Sequence, residues 1–195
     1  MTCIIDNLYL GSVENVTDIF LKNNNIHTLI NVAEECEYKL SSVTDKDNIM
    51  YYHFGIIDDM YDISDWLHTI PSIINKRIHL GPILIHCKAG LSRSPTFVLA
   101  YMIKYLSMDL STSICHLRNL CQIMPNPSFM SQLMTLETEI HNTNSYHLYI
   151  DDYIVFYIVS SLGIDTSKHD MIKNLYINSN KNIWETITKF RSLSR

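Results

Sequence analysis

Ile83-Leu84-Ile85-His86-Cys87-Lys88-Ala89-Gly90-Leu91-Ser92-Arg93-Ser94-Pro95-Thr96 is the stretch whose reading decides the fold. Its first three residues form a continuous apolar run, as in a central strand covered on both faces. Thr96 to Leu106 then reads as an apolar helix. Between them lies a short loop that opens with a cysteine and closes with an arginine at the helix mouth. Such a loop turns successive backbone N–H groups inward and makes an anion nest. Gly90 admits torsions that a Cβ forbids. Arg93 offers a planar fork matched to two phosphoryl oxygens. Pro95 sits where a helix has no use for its N–H. Cys87 lies at the centre of this positive potential, which favours a thiolate.

Outward from this stretch, strands alternate with helices. Leu8 to Gly11 reads as a short strand. Val16 to Lys22 reads as a helix with Val16, Ile19 and Phe20 on one face. His27 to Val32 is a buried-strand pattern, and residues 34–48 read as a polar loop. Met50 to Ile57 is a further apolar strand, ending at Asp58-Asp59. Ile63 to Ile78 carries Trp66, Ile70, Ile73 and Ile74 at helical intervals, and Gly81-Pro82 ends it. Helices are expected over Ser111 to Ile123 and Ser128 to His141, separated by Pro125-Asn126-Pro127. The pattern implies an α/β fold: a central mixed, mostly parallel sheet flanked by helices, with a phosphate-binding loop between a central strand and a helix. Ligands of such sheets sit beyond the carboxyl ends of the strands, which is where Cys87 falls.

Composition bounds the rest. Of 195 residues, 47% are hydrophobic and 18% charged, enough apolar side chains for a core. The formal net charge of −5 argues against a nucleic-acid coat or an anionic-lipid binder. Five cysteines, an odd number with no Cys-x-x-Cys pair, point to a reducing compartment. No signal peptide is evident, so an intracellular, cytoplasmic or nuclear location is expected. The longest apolar stretch, Tyr153 to Leu162, is about half of the ~20 residues a membrane span needs. The nine histidines show no ligand spacing, and neither a metal nor a cofactor is expected.

A thiolate in a phosphate cradle is a nucleophile aimed at phosphorus. In-line attack would give a phosphocysteine, which water then hydrolyses. The leaving oxygen needs a proton from a separate loop, and Asp58 and Asp59 are both candidates for that acid.

At these residues the sequence resembles the dual-specificity branch of the cysteine-dependent protein phosphatases. The signature His-Cys-x-x-Gly-x-x-Arg-Ser/Thr is matched in full at positions 86–94. Asp6 to Ser12 looks like the family's opening strand. Ile26 to Val32 looks like a second strand, with Asn25 where glycine is usual. Pro125-Asn126-Pro127-Ser128-Phe129, followed by Gln132-Leu133, looks like the closing helix signature. The resemblance spans about residues 3–141. It implies that Cys87 is the nucleophile and Arg93 the phosphate clamp. Lys88, Ala89, Gly90, Leu91, Ser92 and Arg93 become the substrate-binding loop. Ser94 becomes the hydroxyl that assists phosphocysteine breakdown, and Asp58 the general acid. Two departures stand out. The acid loop is one or two residues short, which keeps Asp59 open as the acid. Leu120-Cys121 replaces the usual Arg-Pro pair.

The expected division is a catalytic domain over 1–141 and a helical C-terminal extension over 142–195, read as a cap, with homodimerisation or targeting as the alternative. Phosphorylated proteins bearing phosphotyrosine and phosphoserine or phosphothreonine are the expected substrates and partners. A phosphoinositide, phospholipid or RNA 5′-triphosphate is the alternative substrate, and an inactive phospho-binding module the remaining one. Some lipid-directed relatives share the His86-Cys87-Lys88-Ala89-Gly90 opening and tend to put a second basic residue in the loop, where this chain has Leu91.

Overall fold

The computed structural model describes residues 1–36, 48–146 and 150–193. They form two compact units, Met1–Ser145 and Tyr146–Arg195. In the first, strands β1 (Thr2–Ile5), β2 (Leu8–Ser12), β3 (Thr28–Asn31), β4 (Met50–His53) and β5 (Ile83–Cys87) make one sheet. Their order is β1-β2-β5-β3-β4. Only β1 runs antiparallel, through a hairpin with β2, and every other pairing is parallel. This is the mixed, mostly parallel sheet expected. The β1 edge strand was not legible, because Thr2–Ile5 is too short and irregular to carry an alternating pattern.

β5 is buried along its whole length. Tyr9, Leu84, Leu29 and Tyr51 stand in one register row across β2, β5, β3 and β4. On that face they pack with Val16, Leu21 and Phe20 of the segment around helix α1 (Asp18–Asn23). Thr17 Oγ1 caps α1 by accepting from Phe20 N–H. The cap sets the helix phase, so Leu21 faces the core and Ile19, expected on that face, lies 76% exposed.

Side chains of successive residues alternate across a strand, so Leu8, Leu10, Ile30, Ile83 and Ile85 serve the other face. Helix α3 (Arg93–Tyr105) packs there, with α2 (Ser64–Arg77), α4 (Leu110–Leu120) and α5 (Pro127–His141) around it. In α2 the buried stripe is Leu67, Ile70, Pro71 and Ile74. Trp66 lies outside that stripe and instead meets Phe54 edge-on, ring centroids 5.3 Å apart.

β4 is shorter than the apolar run Met50 to Ile57 suggested. Phe54 N–H still donates to Asn31 O, and then the chain leaves the sheet as an irregular loop towards Asp58. Most of the expected 34–48 loop lies outside the described residues. The first unit extends past α5 because buried Glu137 accepts from the backbone N–H groups of Leu110 and Ser145 and from Ser145 Oγ.

The second unit holds helices α6 (Ile150–Ser161), α7 (His169–Asn178) and α8 (Ile183–Leu193). Its own core joins Val155, Ile158, Val159, Ile172, Tyr176 and Phe190. No helix among the described residues is long and apolar enough to cross a membrane.

Candidate active site

The loop from Cys87 to Arg93 joins the end of β5 to the start of α3. Its carbonyls are tied outward: Lys88 O accepts from Val13 N–H at 3.1 Å, and Leu91 O from Met124 N–H at 2.7 Å. A loop whose carbonyls point away is free to turn its N–H groups towards its centre. Gly90 has φ +76°, and a Cβ there would lie 2.9 Å from Gly11 O. The position therefore needs glycine both for its torsion and for the close approach of β2.

At the centre, the Cys87 thiol is buried. Sγ receives the Gly90 N–H at 3.2 Å and lies 3.2 Å from the donating Ser94 Oγ. Ser94 Oγ is also within 3.4 Å of Gly11 O. Beside it, buried His86 is held neutral. Burial lowers its pKa from 6.5 to about 4, against a smaller upward pull from its bond to Cys87 O.

The Arg93 side chain is only 5% exposed. Nη1 and Nη2 donate to the two carboxylate oxygens of Glu35 at 2.6 and 2.7 Å, a bidentate fork. Nη1 also donates to Ile56 O at 3.0 Å. Nε is buried without a partner, 3.9 Å from Asp58 Oδ2. The hydrogen bond from Arg93 holds the Glu35 carboxyl below its usual range, outweighing its partial burial. Burial opposes the charge on Arg93, but Glu35 and the thiol outweigh that and raise its pKa.

Asp58 is brought to the loop from the other side. Its Oδ1 accepts from Ser92 Oγ at 2.7 Å and from Asn126 Nδ2 at 2.9 Å. Asn126 Nδ2 also donates to Asp59 O, and its backbone N–H donates to Ser92 Oγ at 3.1 Å. Asp59 turns away, and its own carboxylate accepts from Met60 N–H. Gln132 ties the far end of this loop to α5, accepting from Ile63 N–H and donating to Tyr61 O.

Cys87, Gly90, Ser92, Arg93, Ser94 and Asp58 thus converge. Lys88 and Ala89 are exposed on the rim, and Leu91 is half-buried. Sequence reasoning missed Glu35 and gave Asn126 no site role. Glu35 follows a strand whose last residue, buried Asn31, accepts from Ala33 N–H and so bends the chain towards Arg93. The acidic pair Glu34-Glu35 directly after that strand was the available signal. All five cysteines are free, and no group of residues suited to hold a metal ion occurs among the described residues.

The fold and this loop define a cysteine-based phosphate-loop domain. The family model for the dual specificity phosphatase catalytic domain matches residues 8–139, and the chain belongs to that family. It is 32% identical over 152 residues to the putative tyrosine phosphatase 123R of Invertebrate iridescent virus 6, covering 74% of this chain and 97% of that one. It is 30% identical over 149 residues to a protein phosphatase Slingshot homolog of Xenopus laevis, covering 74% of this chain but 21% of the relative. The chain therefore spans about a fifth of the Slingshot relative's length. Human DUSP28 shares the fold, with TM-score 0.66 and 20% identity over 73% of this chain and 99% of that one.

Proposed function

We propose that the protein is a phosphoprotein phosphatase that hydrolyses phosphate monoesters through a phosphocysteine. Cys87 Sγ attacks phosphorus in line, and the bond to the leaving oxygen breaks as Asp58 gives that oxygen its proton. Water then attacks the phosphocysteine with Asp58, now a carboxylate, as base. Sulfur leaves as a thiolate, received by Ser94 Oγ and the Gly90 N–H. Arg93 and the loop amides of Lys88 to Ser92 carry the charge on the equatorial oxygens, the term expected to dominate.

The observation that carries this reading is the placement of Cys87 Sγ under two donors, in a loop whose end holds a buried Arg93 Nε with no partner. That Nε–H fits one phosphoryl oxygen. Among the loop side chains only Lys88 and Arg93 are basic, which suits a single monoester phosphate better than a polyphosphorylated headgroup. Dual specificity towards phosphotyrosine and phosphoserine or phosphothreonine is the substrate range this reading carries.

Rapid-mixing assays with p-nitrophenyl phosphate test it. A burst of nitrophenol matching the active-site concentration is expected if phosphocysteine breakdown is slow. Cys87→Ser is expected to abolish turnover while retaining tungstate binding, because the amide nest and Arg93 remain. Turnover by Cys87→Ser at the rate of the unmodified chain would refute the thiolate mechanism.

A further inference from the structure

Glu35 has no part in the reaction above, yet it holds the phosphate clamp more tightly than any other residue of the site. A guanidinium has five N–H groups. Glu35 takes one from each terminal nitrogen of Arg93, and Ile56 O takes the second on Nη1. What remains is the edge formed by Nε–H and the second Nη2–H, and Nε is buried and unpartnered. That edge is the side-on face that binds two oxygens of one phosphoryl group. Among the described residues, the second carboxylate paired with Arg93 is Asp58, at 3.9 Å from Nε.

We infer that Glu35 is a positioning residue that locks the Arg93 guanidinium with its Nε–Nη2 edge facing the phosphoryl group and keeps Arg93 off Asp58. The inference rests on the phosphatase reading. Without Glu35, a buried guanidinium has one carbonyl and one neighbouring carboxylate, so it swings onto Asp58. This misaims the clamp and engages the acid at the same time. Glu35 itself is poised for the task. It sits on a turn held by the Asn31–Ala33 bond and by Cys36 N–H donating to Ala33 O. Its carboxylate is partly exposed, so its removal opens no cavity in the core.

The test uses Glu35→Ala and Glu35→Gln in the full chain. Glu35→Ala is expected to lower kcat on p-nitrophenyl phosphate by about 10²-fold, in the range for losing one preorganised donor. Inhibition by orthovanadate, which mimics the five-coordinate phosphorus, is expected to weaken by a similar factor. Inhibition by inorganic phosphate is expected to change by no more than about threefold, because the locked edge matters most in the transition state. Glu35→Gln keeps one oxygen on the fork and is expected to recover about tenfold of the loss. A rate for Glu35→Ala equal to that of the unmodified chain overturns the inference. So does an equal loss for vanadate and phosphate, which would mean ground-state binding only. If Glu35→Ala fails to fold, Glu35→Gln carries the same comparison. If the unmodified chain does not turn over substrate, the phosphatase reading fails. Calorimetric affinities then decide the Glu35 inference: a fall of about 10²-fold for orthovanadate with no more than about threefold for phosphate in Glu35→Ala supports it, and no change for orthovanadate overturns it.

Discussion

Asn126→Ser separates two duties that one side chain performs. Asn126 Oδ1 accepts from Phe129 N–H and caps α5, while Nδ2 donates to Asp58 Oδ1 at 2.9 Å and to Asp59 O at 3.3 Å. Serine caps a helix about as well as asparagine, but its hydroxyl is too short to span to Asp58. The backbone N–H to Ser92 Oγ is kept. The bond to a charged carboxylate is worth ~1.5–3 kcal/mol when fully buried. The Asp58 side chain is 37% exposed, which brings its share down to ~1 kcal/mol. With the weaker bond to Asp59 O, the expected stability loss is ~1–2 kcal/mol. Asn126→Ala should lose ~1 kcal/mol more, the missing cap. Asp58 keeps only its Ser92 tether in both variants. The expected fall in kcat is about tenfold on a phosphoserine peptide. It should be smaller on p-nitrophenyl phosphate, whose leaving group scarcely needs a proton. Urea melts and steady-state rates on both substrates give the two numbers. In an Asp58→Asn background the kcat effect of Asn126→Ser should vanish, since its target is gone. If the losses instead multiply, Asn126 acts on something other than Asp58 and the reasoning fails.

Two further expectations follow from the same geometry. Asp58→Asn should cut kcat by ~10²–10⁴, more for alkyl than for aryl phosphates, whereas Asp59→Asn should do far less because its carboxylate caps Met60 N–H. Exchange of those behaviours in the rate assays would move the acid to Asp59. His86 is neutral in the fold with a pKa of about 4, against 6.5 when unfolded. The unfolded chain therefore binds the extra proton first, so stability present above pH 6.5 is lost as pH falls towards 4 and levels off below it. The loss is about 3 kcal/mol. Urea melts at pH 7 and pH 4.5 on the unmodified chain and on His86→Gln check this, and equal pH dependence in the two would refute it.

The fold class was legible because its signals are local. An apolar Ile83-Leu84-Ile85, a glycine inside the loop and a helix beyond it need no partner to be read. Cys87, Arg93 and Ser94 were legible for the same reason, since eight residues carry them. Asp58 came from its place after an apolar run, although that run leaves the sheet at His53. What the sequence hid was side-chain traffic between distant segments. Glu35 meets Arg93 across 58 positions, and Asn126 meets Asp58 across 68. No periodicity encodes such pairs. The phase of α1 was misread because four apolar side chains in seven residues fit more than one stripe. The Thr17 cap, not the pattern, decides which of them is buried.

The sheet register explains why these segments meet. Gly11, His86, Asn31 and His53 stand side by side in one row across β2, β5, β3 and β4. Just beyond that row, at the carboxyl edge, come Ser12 and Val13, Cys87, the turn to Glu35, and the loop to Asp58. Under the proposed reaction each contributes one function: Val13 N–H turns a loop carbonyl outward, Cys87 is the nucleophile, Glu35 holds the clamp, and Asp58 is the proton donor. A slip of one residue on any strand would move its contribution by about 3.3 Å and turn its side chains to the opposite face. The polar members of the row resist that slip. Asn31 is fully buried, with Ala33 N–H on its oxygen and its Nδ2 on Tyr51 Oη at 3.1 Å. Moving β3 by one residue would leave that amide buried and unpaired, at a cost of ~1–3 kcal/mol. The buried Asn31 therefore specifies the register that delivers Glu35 to Arg93.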